Sequence, residues 1–253
     1  MKKVLIPFSI LIVVLLILTA INNPAAIAAP DELPQAYQLK IKWTQDYITD
    51  VPPIMMRDPL LEMFGQVDGA IPYTYEEAVK LAGHSCGAVA GGWEITRMAL
   101  EVLYPDGEIP VRGQIYIYAP GAEDEWHVGV LAEVMMYITG AAPKSGFNGA
   151  EYKQANDVYA RRNKLIFAET TTGTPPAKMQ WIFERHDTGK KVGVVYNVGA
   201  VQPATNPEWT ALGIKLAKGL ATSQETAEYV KWWNARARFV FHNADIFVVT
   251  ELN

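Results

Sequence analysis

The chain has 253 residues, a formal net charge of −5, half of its residues hydrophobic, and a single cysteine. That length makes one sizeable domain, or a domain with an extension, with ample material for a core. The acidic balance excludes the basic footprint that nucleic-acid binding needs, and one cysteine excludes an internal disulfide framework.

Lys2-Lys3 opens the chain, Val4 to Ile21 is almost wholly apolar, and Ala26-Ile27-Ala28 offers a small-x-small processing site. A charged region, an apolar run and a cleavage site in that order predict a signal peptide over residues 1–28. The run also approaches the ~20 residues of a membrane helix, so an uncleaved N-terminal anchor is the competing reading. In both cases the folded part is expected outside the cytoplasm, in the periplasm or extracellular space. No cysteine lies near the processing site, which excludes a lipoprotein anchor.

Residues 29–72 carry Pro30, Pro34, Pro52, Pro53 and Pro59 and are expected to form an extended arm, with Trp43 and Tyr47 on a short helix. The main domain is expected over 73–253. Thr74-Tyr75-Glu76-Glu77 is a capping box that starts a helix running to about Ala82. A second helix begins near Cys86 or Gly87, carries the small residues Ala88, Gly91 and Gly92, and stops at Tyr104-Pro105-Asp106-Gly107. Gln114–Ala119 has the β-branched and aromatic content of a strand. After the acidic loop Glu123-Asp124-Glu125, the apolar positions Val130, Leu131, Val134, Met135 and Ile138 follow helical spacing and end at Thr139-Gly140.

Strands are expected over Asn163–Glu169, Met179–Arg185 and Lys191–Asn197, the last two joined as a hairpin through Asp187-Thr188-Gly189-Lys190. A short helix falls within 203–220. A second capping box, Thr222 to Glu225, opens an amphipathic helix to about His242, and Ile246–Val249 is a last strand. This order is not a regular βα alternation. The expected class is α+β, with a central, mostly antiparallel sheet and packed helices.

Chemistry concentrates in Gly83-His84-Ser85-Cys86-Gly87, which joins the only cysteine to one of four histidines. A thiol and an imidazole at i, i+2 converge where the chain turns sharply or starts a helix. The pair suits zinc or another borderline transition metal. It also suits an activated thiol nucleophile, and a helix N-terminus under Cys86 would favour the thiolate in either case. The bland reading is a buried free cysteine beside a surface histidine.

The same residues resemble the His-x-Cys signature of the FmdE-like proteins, a family named for a subunit of formylmethanofuran dehydrogenase. Val134 to Gly140, the turn segment Phe183 to Lys190 and the end with Asp245-Ile246-Phe247 are similar to further parts of that family, so the resemblance spans roughly 73–252. It implies an FmdE-like α+β fold, a metal site, usually zinc, near the His-x-Cys, and often a dimer. Two features depart from the family pattern His-Gly-His-x-Cys-Pro-Gly: Ala82 stands at the first histidine and Gly87 at the proline. The second cysteine and the C-terminal cysteine-rich ribbon of many members are absent, so the methanogenic role is not carried over.

The expected metal ligands are therefore His84, Cys86 and His127, the last standing near the position of the family's later cysteine. Glu125 and Glu94 are further candidates, Glu94 being more simply a solvent-facing residue. His186 and His242 are expected to be exposed and uninvolved. Tyr229, Trp232, Trp233 and Phe239 form an aromatic surface suited to core packing or to a homodimer interface. The expected function is an exported, zinc-binding carrier, sensor or accessory protein with a membrane or periplasmic partner. A small metalloenzyme or thiol enzyme using Cys86 and His84 is the competing function.

Overall fold

A computed structural model describes residues 41–125, 127–150, 158–168 and 179–252. The leader, the first part of the arm, Trp126 and the end of the strand expected at Glu169 lie outside the described residues. The chain divides into two units, Met1–Thr44 and Gln45–Asn253, and the helices and strands of the described residues belong to the second.

Its elements are α1 (Tyr47–Asp50), β1 (Ile54–Met56), α2 (Pro59–Met63), β2 (Ile71–Tyr73), α3 (Tyr75–Ala82), α4 (Gly87–Leu103), β3 (Ile115–Tyr118) and α5 (Val128–Thr139). There follow β4 (Leu165–Ile166), β5 (Met179–Arg185), β6 (Lys191–Tyr196), α6 (Pro207–Ala217), α7 (Ser223–His242) and β7 (Phe247–Leu252). The main sheet runs β4-β3-β5-β6-β7 and is antiparallel except for the β3/β4 pair. The α+β class is thus present, with helices and a mixed, mostly antiparallel sheet. β1 and β2 form a separate antiparallel pair.

Both expected capping boxes are formed. Thr74 accepts from the Glu77 amide while the Glu77 carboxylate takes the Thr74 N–H, and Thr222 and Glu225 do the same at α7. Such reciprocal caps satisfy helix N–H groups that have no intrahelical partner. The β5–β6 hairpin closes through Gly189 at φ +71°, a conformation glycine adopts at little cost.

Helix α4 is the centre of the molecule. Its small residues let three neighbours close on it at once. A Cβ on Gly91 would fall 2.5 Å from the ring of Tyr196 on β6, and one on Gly92 would fall 3.0 Å from the Leu131 carbonyl of α5. The Tyr196 hydroxyl donates to the Gly87 carbonyl at 2.8 Å, fastening the start of α4 to the sheet. Every residue from Gly87 to Thr96 is buried, so the first half of this helix is covered on all sides, and solvent reaches it in the second half, where Glu101 is exposed.

The compact unit begins at Gln45, ahead of the start expected at Tyr73, and the proline-rich residues after Gln45 carry the short elements α1, β1, α2 and β2. The reason is ionic as well as apolar. Asp58, 3 % exposed, caps α2 through the Leu60 amide and pairs with Arg161 at 2.6 Å and Arg112 at 2.7 Å. Arg112 in turn donates to the carbonyls of Ile138 and Tyr137 at the end of α5. Prolines read as an arm, but a buried carboxylate with two arginines holds the segment against the body.

Candidate functional site

The His84–Cys86 turn is built by helix ends. Gly83 terminates α3 in the left-handed region at φ +70°, which lets the chain reverse at once. His84 and Ser85 cross the gap, and Cys86 takes the extended N-cap position of α4, as the spacing predicts.

Ser85, between the two chemical residues, is the anchor. It is buried, and its hydroxyl bonds to the hydroxyls of Tyr75 on α3 at 2.7 Å and Tyr47 on α1 at 3.0 Å. Its carbonyl accepts the indole N–H of Trp233 on α7 at 2.7 Å. Three helices therefore grip one residue and fix the directions of its neighbours on either side.

The His84 Nδ1 lies 3.0 Å from the Ala82 carbonyl, which orients the ring. The bond between His84 and Cys86 pushes the imidazole up to about 9, against the opposing effect of burial. Burial pushes the Cys86 thiol up. The His84 bond, the Val89 and Ala88 amides at the start of α4 and the charge on His84 outweigh it and leave the thiol below its ordinary value. Cys86 makes no conventional side-chain cap bond, so the amides act on the sulfur chiefly through their dipoles. Both shifts act in the same sense, towards a thiolate beside an imidazolium.

Cys86 opens onto a cleft of about 730 Å³. The walls come from the start of α4, the 198–205 loop and the facing sides of α6 and α7, including Trp209, Tyr229, Trp232, Trp233 and Arg236. His127, just ahead of α5, lines the same cleft. Burial first, and the Arg236 charge second, push its imidazole below the usual value, so it is neutral at pH 7.

The structure thus brings two of the three expected ligands into one cleft, with the third bonded to Cys86. Among the described residues, no group of three or more His, Cys, Asp or Glu side chains is already arranged around a common metal position. Glu94 does not face solvent as expected: it is 6 % exposed, and its carboxylate is held by Arg97 at 2.7 Å. Glu125 is buried and turns back on its own loop to accept the Ala122 amide. His186 is half-buried, with its ring 5.2 Å from Tyr116, and His242 is exposed at the end of α7. Neither lines the cleft.

Sequence reasoning missed Ser85 as an anchor and Arg236 as a cleft residue. Ser85 carried no signal, because its partners lie 10, 38 and 148 positions away. Arg236 did carry one, since it sits three and four residues after Trp233 and Trp232 and so shares their helix face. Trp209 joins them only because α6 folds back on α7, stacking its indole 4.8 Å from that of Trp232. No family model matches the chain, and no curated relative matches it.

Proposed function

We propose that the protein is an exported, FmdE-like metal-binding protein that holds zinc on Cys86 and His84, with His127 as a third ligand from across the cleft. It serves as a carrier, sensor or accessory protein for a membrane or periplasmic partner. The observation that carries the reading is the hydrogen bond between Cys86 and His84, which raises the imidazole and helps to lower the thiol. A sulfur and an imidazole nitrogen on one tetrahedral zinc stand about 3.6 Å apart, close to the span of a hydrogen bond to sulfur, so a metal replaces the proton with little movement. The second ring nitrogen of His84 already has a carbonyl partner, the usual support for a ligating histidine. A neutral His127 needs no proton removed before it ligates. When bound on these residues, zinc would supply a Lewis-acid centre beside the aromatic cleft.

Metal analysis of protein isolated from its native compartment tests this. Stoichiometric zinc is expected, abolished by Cys86→Ser and weakened at least tenfold by His84→Ala, a size typical for loss of a ligand or its support. His127→Ala should weaken binding and His186→Ala should not. Unchanged affinity in Cys86→Ser overturns the reading. N-terminal sequencing starting at Ala29 is expected for the exported form.

A thiol enzyme is the second reading, favoured by the His84 bond that lowers the Cys86 thiol, the way a cysteine nucleophile is activated. It is the better account if native protein carries no metal and Cys86 is alkylated by iodoacetamide with a midpoint below 9.0, the ordinary value of the thiol.

A further inference from the structure

We propose that the cleft between α6 and α7 binds a small monocarboxylate with a flat aromatic body, its carboxylate on Arg236 and its ring against Trp209 and Trp232. The proposal goes beyond the metal reading and stands without it, because neither anchoring group is a metal ligand.

Charge is the first support. Arg236 is half-buried, lines the cleft and makes no ion pair among the described residues. Its Nη1 donates to the Pro203 carbonyl at 2.5 Å. A guanidinium has five N–H donors, so most of its fork is unspent. No aspartate or glutamate lines the cleft. Arg185, by contrast, has Glu108 at 2.6 Å and Arg97 has Glu94 at 2.7 Å. Burial pulls Arg236 below its usual value, against the partial compensation that Tyr196 and Cys86 provide, and no carboxylate pairs with it among the described residues. A carboxylate is the group whose geometry matches the fork.

Shape is the second. Trp209 and Trp232 stack with 6° between their planes, Tyr229 and Trp233 stack at 24°, and the Arg236 guanidinium sits 5.3 Å from the Trp232 ring centre. The wall next to the cation is therefore flat and aromatic. Val198, Val201 and Ile214 supply the apolar remainder. A volume of about 730 Å³ is that of a small-molecule site rather than a gap between side chains. One cation and one flat wall select a single negative charge on a planar apolar body.

The test is calorimetric titration of the full-length, chelator-treated protein with 2-naphthoate and with its neutral isostere 2-naphthamide. The naphthoate is expected to bind at least tenfold more tightly than the amide. Arg236→Gln should remove that preference while leaving amide affinity within threefold, and Trp209→Ala should weaken both ligands. Arg236→Lys, which keeps the charge and loses the fork, should give an intermediate preference and serves if the glutamine variant does not fold. Because the titration uses chelator-treated protein, the carboxylate site is read with no metal bound, so a failed metal reading and a failed carboxylate site give different results. Equal binding of the two probes, no heat with either at millimolar concentration, or an unaltered preference in both Arg236 variants overturns the proposal. So does at least tenfold tighter binding of a tripeptide with an aromatic C-terminal residue, which would make the occupant a chain end.

Discussion

Ser85 shows how a residue with no chemistry of its own can set the chemistry of two others. Tyr75 is fully buried, and its hydroxyl relies on Ser85. Ser85→Ala leaves that hydroxyl without this partner and is expected to cost about 1–3 kcal/mol, the usual penalty for an orphaned buried polar group. The turn would also lose its hold on His84 and Cys86. Zinc affinity should fall roughly tenfold with both ligands intact, as when second-sphere support is removed. Urea unfolding and a chelator competition measure the two effects, and wild-type values in both would sink the anchoring role. Trp233 acts on the same turn from above: its N–H holds the Ser85 carbonyl while its ring lies 6.0 Å from His84.

Among the elements, α6 and α7 form the wall of the cleft, and one acid links them. Glu225 completes the α7 capping box and pairs with Lys215 of α6 at 2.6 Å. The Lys215 bond first, then the Thr222 backbone, pull its carboxyl down to about 2. A carboxyl of this type titrates near 4.3 in an unfolded chain, so the folded form binds its proton less readily. Its contribution to stability is whole above that pH and is lost as pH falls through the folded value. Melting temperature is expected to drop between about pH 4.3 and 2 for this reason. Glu225→Gln should be less stable at pH 7 and show a shallower acid limb. Parallel acid limbs for the two proteins would show that Glu225 is not the responsible group.

For the molecule as a whole, Asp58 is the tie between the first elements and the body. Arg161 is 1 % exposed, and Asp58 is the carboxylate that pairs with it. Asp58→Ala would leave a buried charge uncompensated and is expected to cost about 3–5 kcal/mol, measurable by denaturant titration. A loss below about 1 kcal/mol would mean that the pair adds nothing beyond a surface bridge. Among the described residues no helix is long and apolar enough to cross a membrane. From the exposed Leu220 and Val230 on and around α6 and α7 we propose a homodimer. Light scattering at micromolar concentration should give twice the chain mass, and a single-chain mass excludes it.

Local signals in the sequence settled a good deal. The capping boxes at Thr74 and Thr222, the glycine stops after α3 and α5, the β5–β6 hairpin and Cys86 at the start of α4 were all legible, because each depends on residues within a few positions of one another. The α+β class followed from their order. Tertiary structure alone decided the rest. It showed that Gly91 is small because Tyr196 needs the space, that proline-rich residues from Gln45 onward join the main body through Asp58, and that Glu94 is spent on Arg97. It also drew Arg236, Trp209, His127 and Cys86 to one cleft from four separate stretches of chain. Burial, charge pairing and cavity shape are sums over neighbours distant in sequence, and no local pattern encodes those neighbours.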